Sequence, residues 1–290
     1  MGIINRKRTG IKLAVILVFC SLTFVLVFVG SRQKAAASAS GPSPSYTNAP
    51  NEGNCTVCHA GPPANSGTGS VSIAGVPATY LPGETASITV TTSEETGSAY
   101  GFQLTAVDSG GSPAGTFTVP TAPPVQTQVV AGFIAGVTRM YVEHTIIGVQ
   151  PTQFGSKSWT FTWTAPTPAK GKIDFYAAGN GADGDATNSG DFIYTTSVST
   201  SPAVVYSING RVFLSDGTRG LRNSLIALID QNSGATRTAT TSSFGFYSFT
   251  DVLPGTYTLS VKSKLYRYAV KPNVVVSTSD LSNIDFIGLE

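Results

Sequence analysis

The sequence predicts an all-β protein, two antiparallel β-sandwiches behind an N-terminal signal or anchor helix. Three observations carry this. Short runs of β-branched and aromatic residues alternate at period two, broken by Gly or Pro about every ten residues. The 290 residues include 31 Gly and 17 Pro but are only 12% charged, a balance that argues against coiled coils and helical bundles. Past residue 39, no apolar pattern sustains a three-turn helix.

Residues 1–39 read as a signal peptide or N-terminal membrane anchor. Arg6, Lys7, Arg8 and Lys12 precede an almost unbroken apolar run from Leu13 to Gly30, and the small residues Ala35-Ala36-Ala37-Ser38-Ala39 suit a signal peptidase. Cleavage is expected near Ala37 or Ala39. An uncleaved anchor is the alternative, since about 18 helical residues at 1.5 Å each nearly cross a ~30 Å hydrocarbon layer. Either way the rest of the chain is expected outside the cytoplasm: secreted, periplasmic or at the cell surface. Cys20 lies mid-run behind Phe19, where a lipoprotein signal would want a small residue, and belongs to the targeting segment. The first 39 residues hold six of the 18 basic side chains and no acidic ones; without them, 12 basic residues face 16 acidic, a formal net charge of −4. Nothing downstream resembles a phosphate-binding surface, so no nucleic-acid partner is expected, and membrane contact is expected only through residues 13–30.

Residues 40–69 are expected to be a flexible linker carrying the cysteine motif, because Ser40 to Asn54 is rich in Ser, Pro, Gly and Asn and lacks apolar periodicity. Residues 70–202 form the first predicted sandwich. Its strands include Ser87-Ile88-Thr89-Val90-Thr91, Gly101-Phe102-Gln103-Leu104, Ser158-Trp159-Thr160-Phe161-Thr162-Trp163 and Lys172-Ile173-Asp174-Phe175-Tyr176. Trp159, Phe161 and Trp163 share a strand face and read as core. A Ser, Thr and Pro stretch at Ser199 to Ala203 marks the boundary. Residues 203–290 form the second sandwich, with turn signals at Asn209-Gly210, Asp216-Gly217, Ser233-Gly234, Phe244-Gly245 and Pro254-Gly255.

The chemistry concentrates in Cys55-Thr56-Val57-Cys58-His59. C-x-x-C-H is the attachment pattern of c-type haem: two thiols at this spacing can add to the two vinyl groups of one porphyrin, and the adjacent histidine reaches the iron. Such attachment takes place outside the cytoplasm, in agreement with the export signal. Three other readings stay open: a small disulfide loop, a thioredoxin-like redox pair, and zinc held by Cys55, Cys58, His59 and one distant ligand.

An iron bound by His59 has a second axial position, for which the mature chain offers His144 and Met140. Both lie in Arg139-Met140-Tyr141-Val142-Glu143-His144-Thr145, which reads as a strand with Met140, Val142 and His144 on one face. Four residues of strand span about 13 Å, so at most one of the two can reach a given iron. His144 is the expected sixth ligand and Met140 the lesser candidate.

Asp183, Asp185 and Asp191 lie in a Gly-rich loop where calcium is conceivable, but the spacing misses the EF-hand pattern, and a solvated turn is the better reading. Catalysis finds little support: no G-x-S-x-G elbow and no phosphate-cradling loop is present, so no enzyme is expected. Tyr266 and Tyr268 are aromatic candidates for a surface role.

Several of these segments occur in an order that resembles the Reeler domain, the N-terminal module of reelin and F-spondin, in the form found in bacterial surface proteins with C-x-x-C-H before it. The carriers are Asn48 to Cys55, Tyr80-Leu81-Pro82-Gly83-Glu84, Gly101 to Ala106, Trp159 to Pro166 and Phe175 to Asn180, spanning about residues 45 to 200. The likeness implies an Ig-like sandwich at the cell surface, with a histidine at the place of His144. The animal modules rely on disulfides and lack the haem motif, so their matrix roles are not implied. The last domain resembles the carboxypeptidase regulatory-like, or prealbumin-like, sandwich through Ile208 to Val212, Gly217 to Leu221, Thr240 to Phe249 and Leu253 to Leu259. That likeness implies a spacer or docking module, sometimes near carbohydrate, with no chemistry of its own.

The expected function is an exported mono-haem c-type protein with one covalent haem c, held by Cys55, Cys58, His59 and His144. It would serve one-electron transfer or redox sensing with a redox partner protein or a surface component. The alternative is a non-catalytic structural or adhesive β-sandwich surface protein, with a disulfide or metal at the motif.

Overall fold

A computed structural model describes residues 38–185 and 187–289. The expected signal or anchor, with its 13–30 run and Cys20, lies outside the described residues. Among the described residues there is no α-helix, and no helix long and apolar enough to cross a membrane.

The chain divides into two compact units, residues 38–78 with 82–200 and residues 79–81 with 201–289. In chain order the first ten strands are β1 (Ser70–Ala74), β2 (Thr79–Tyr80), β3 (Thr85–Ser93), β4 (Ala99–Asp108), β5 (Thr116–Thr118), β6 (Thr127–Ile134), β7 (Val137–His144), β8 (Ser156–Thr164), β9 (Ile173–Ala182) and β10 (Phe192–Pro202). In the first unit a sheet ordered β1-β3-β8-β5 packs on one ordered β10-β9-β4-β7-β6. The period-two reading explains the layer between them. Ile88 and Val90 of β3 stand opposite Phe161 and Trp159 of β8, all buried, while the intervening hydroxyls pair on the exposed face, Thr89 with Thr160 at 2.9 Å and Thr91 with Ser158 at 2.8 Å. Phe102 of β4 meets Trp159 at 4.5 Å between ring centroids, and Trp163 meets Phe175 of β9 edge-on at 5.1 Å. Each indole N–H keeps a backbone acceptor, Gly148 O for Trp159 and Ala114 O for Trp163, so burial strands no donor.

In the second unit, β2 pairs in parallel with Ser201 and Pro202 at the end of β10. The remaining strands are β11 (Tyr206–Phe213), β12 (Leu225–Asp230), β13 (Thr236–Thr240), β14 (Phe246–Val252), β15 (Gly255–Lys262), β16 (Lys271–Val276) and β17 (Phe286–Ile287). They form sheets ordered β14-β11-β17 and β13-β12-β15-β16 around Ile208, Val212, Ile226, Leu228, Phe249 and Leu259. Two details depart from the sequence reading. The β11–β17 pairing is parallel, and Asn209-Gly210 lies inside β11 rather than at a turn. Glycine is needed there because a Cβ would come 2.2 Å from the Ile284 carbonyl oxygen.

The largest departure is the segment expected to be a flexible linker. It packs as a strap on the sheet face turned away from the inter-sheet core. Gln103 accepts from Tyr46 N at 2.8 Å and donates to Ser43 O at 3.1 Å. Arg139 of β7 donates to Glu52 Oε1 at 2.7 Å, Pro50 O at 3.0 Å and Gly111 O at 2.8 Å; Tyr141 OH adds a second bond to Glu52 Oε1. Both ends of the Arg139–Glu52 pair are buried. The polar composition that reads as solvated linker is satisfied by side chains 50 to 90 residues downstream, out of sight of any local window. The strap also explains why β7 is buried on both faces: Val142 lies in the inter-sheet core, while Arg139, Tyr141 and Glu143 lie under the strap.

Removing one partner of a buried ion pair leaves an uncompensated charge. Glu52→Ala is expected to destabilise the first unit by about 3–5 kcal/mol in urea unfolding, against about 0.5 kcal/mol or less for Glu95→Ala on the surface of the same unit.

Candidate functional site

At the end of the sheet where β4 begins, β7 and β9 finish and β10 starts, a cavity of about 650 Å³ opens. Its lining brings together Tyr46, Cys55, Cys58, His59, Gly101, Phe102, His144, Asn180 and Asp191. The size falls in the range of cofactor sites, about 300–1,000 Å³.

The cysteine motif reaches this cavity as a single turn of 3₁₀ helix, Cys55–Val57. Asn54 caps it, its side-chain oxygen accepting from Thr56 N at 3.0 Å and from Thr56 Oγ1 at 2.7 Å. Cys58 N and His59 N both donate to Cys55 O, at 3.2 and 2.9 Å, so the two thiols and the imidazole ride on one rigid turn. Cys55 and Cys58 are free thiols. Burial, then the neighbouring Cys58, pushes the Cys55 thiol up to about 12; burial also raises Cys58, partly offset by its hydrogen bond from Tyr46. Neither is poised as a thiolate, contrary to what a thioredoxin-like exchange pair needs.

His144, the last residue of β7, is buried where the β4–β7 ladder stops at Gln103–Glu143. Its ring takes over the place of the next backbone pair, with Nδ1 3.0 Å from Phe102 N and 3.1 Å from Phe102 O. Nε2 keeps a lone pair for a ligand in the tautomer whose Nδ1 donates to Phe102 O, and the Ser38 backbone also hydrogen-bonds this ring. Burial, ahead of all other causes, pushes the His144 imidazole below its ordinary value, so it stays neutral, the form in which it can bind a metal. Gly101 makes room for it: a Cβ there would lie 2.7 Å from His144 Cε1. Met140 lies outside the cavity lining and is 36% exposed.

His59 meets Asp191 through Nδ1 in a short contact with Oδ2, and Asn180 Nδ2 lies 3.2 Å from Nδ1 and 3.4 Å from Nε2. Asp191 is 1% exposed, and its Oδ1, like Asn180 Oδ1, is buried without a hydrogen-bond partner. The loop considered for calcium has another structural task. Asp183 and Asp185 are exposed and hold turns, accepting from Asp185 N and Thr187 N, while Asp191 turns inward to His59. The same loop clamps the cysteine turn, Asn188 Nδ2 donating to Cys58 O at 2.7 Å and Gly190 N to Ala60 O at 2.9 Å. Among the described residues, no three His, Cys, Asp or Glu side chains converge as a metal-ion site, and the three aspartates lie apart. The roles of Asp191, Asn180 and Gly101 escape sequence reasoning. A usable signal existed for Asp191, which directly precedes the apolar Phe192-Ile193-Tyr194 and so sits at a strand entry rather than a loop tip.

Residues 207–287 match the family of the carboxypeptidase regulatory-like domain. Among solved structures, the chain is similar to the full-length major pilin SpaD from Corynebacterium diphtheriae, at 13% identity over 76% of this chain and 68% of that one, with a TM-score of 0.40. It is also similar to BcpA, the major pilin subunit of Bacillus cereus, at 11% identity over 77% and 70% with a TM-score of 0.36. The human F-spondin reeler domain is similar at 18% identity over 50% of this chain and 94% of that one, with a TM-score of 0.32. A sequence comparison with curated proteins gives no match.

A buried neutral histidine makes the cofactor-free fold acid-sensitive. The unfolded chain takes up a proton near the ordinary histidine value of about 6.5, whereas folded His144 resists protonation to lower pH, so the unfolded state binds more protons and stability falls as pH drops below that value. His144→Gln is expected to flatten the dependence of the urea midpoint between about pH 7 and pH 5.

Proposed function

We propose that the chain is an exported mono-haem c-type protein of the cell surface or periplasm, serving one-electron transfer or redox sensing. The observation that supports this best is the meeting of Cys55, Cys58, His59 and His144 in one cavity, although His144 is 85 positions beyond His59 in the sequence. The donor set fits the group: two free thiols at the attachment spacing, and two imidazoles whose Nδ1 atoms each face a protein oxygen to which they can donate, Asp191 Oδ2 for His59 and Phe102 O for His144. Gly101 leaves room for the His144 ring, and all four residues line one cavity of about 650 Å³.

In this reading Cys55 and Cys58 would hold the porphyrin through thioethers, and His59 and His144 would hold the iron. The bound haem would supply a one-electron Fe(III)/Fe(II) couple. The chain's own contribution is orientation and exclusion. The capped turn fixes the sulfurs and His59 relative to one another, the Phe102 backbone fixes the His144 ring, and the strap closes the outer side through Pro42, Ser43 and Tyr46.

The family match of residues 207–287 favours a second reading, a structural or adhesive surface protein built of β-sandwiches, with the cysteine turn as a disulfide or metal staple. Covalent pigment separates the two. Produced with a haem-attachment system, the native chain is expected to gain the mass of one haem beyond the polypeptide and to keep its Soret band after denaturation; free alkylation of both cysteines in that product would exclude the first reading. Cys55→Ser with Cys58→Ser is expected to abolish the covalent pigment. His144→Ala is expected to convert a low-spin spectrum to high-spin, whereas Met140→Leu leaves the spectrum unchanged.

A further inference from the structure

The buried carboxylate behind His59 belongs to no binding role yet described. Asp191 is held at the entry of β10, its Oδ2 against His59 Nδ1, its Oδ1 without a partner, and its side chain almost wholly out of water. Its single salt-bridge partner among the described residues is His59, and no Lys or Arg lines the cavity. Asn180, opposite Ile193 in the β9–β10 register, lies against the same ring, its Nδ2 3.2 Å from Nδ1 and 3.4 Å from Nε2.

We infer that Asp191 is a positioning residue that sets the centre's reduction potential low. The inference rests on the haem reading above. Two effects act in the same direction. A carboxylate on Nδ1 fixes the tautomer that presents Nε2 and raises the basicity of the imidazole as a ligand. A negative charge in a poorly solvated place, uncompensated by any lining cation, also favours the more highly charged ferric state over the ferrous one. The same carboxylate could serve only to anchor the cysteine turn, and the two roles differ in what they change. An anchor affects haem retention and stability; a tuning group affects the midpoint while coordination stays the same.

The test is a redox titration of the full-length holoprotein, followed in the visible bands. Asp191→Asn is expected to keep the six-coordinate spectrum and shift the midpoint in the positive direction. Retained pigment with an unshifted or lowered midpoint overturns the inference and leaves the haem reading intact. Asp191→Ser, which removes the carboxylate and leaves a small polar side chain, is expected to shift the midpoint in the same positive direction; it carries the test should Asp191→Asn not retain its fold, and an unshifted or lowered midpoint overturns the inference. A native product without covalent pigment overturns the haem reading itself, and the inference with it.

Discussion

The ion pair between Glu52 and Arg139 is the constraint on which the geometry of the first unit depends. Taking both charges out of water is costly, and hydrogen bonds around both ends offset that cost: Arg139 reaches three oxygens, while Glu52 also accepts from Tyr141 and Thr47. The pair acts as a rivet. It fixes the chain three residues before Cys55, so the cysteine turn can emerge at only one place along the sheet, beside the ends of β7 and β9. A polar strap that would otherwise roam thereby becomes a wall of the cavity.

The site is also organised by endings. His144 closes β7, Asn180 lies near the end of β9, Gly101 near the start of β4, and Asp191 just before β10. Backbone pairing runs out at these positions, and side chains take over the unused groups, as when the His144 ring serves Phe102 where the ladder stops. The polar residues lining the cavity are thus held at strand ends while facing a space the sheet does not fill.

How much of this was legible follows from the range of the forces involved. Alternation along Ile88–Val90 and Trp159–Trp163 is written within each strand and settles the inter-sheet core, and C-x-x-C-H is a contiguous signature. The strap was not legible, because Gln103, Arg139 and Tyr141 satisfy it from far along the chain. Asp191 resembles its neighbours Asp183 and Asp185 in composition, yet it differs from them in burial, a property that only the tertiary structure assigns. Asn209-Gly210 carries the chemistry of a turn, but its glycine answers to the Ile284 carbonyl, a contact outside any local pattern.

The cysteine turn also has a history built into its connectivity. His59 and Asp191 stand 132 positions apart, and the loop that clamps Cys58 comes just as late. A chain emerging N-terminus first displays both sulfurs as an open peptide well before the residues that enclose them exist outside the membrane or ribosome, and closing so long a loop is a slow step of folding. A reaction that needs the sulfurs on an open peptide therefore precedes the clamp of Asn188 on Cys58.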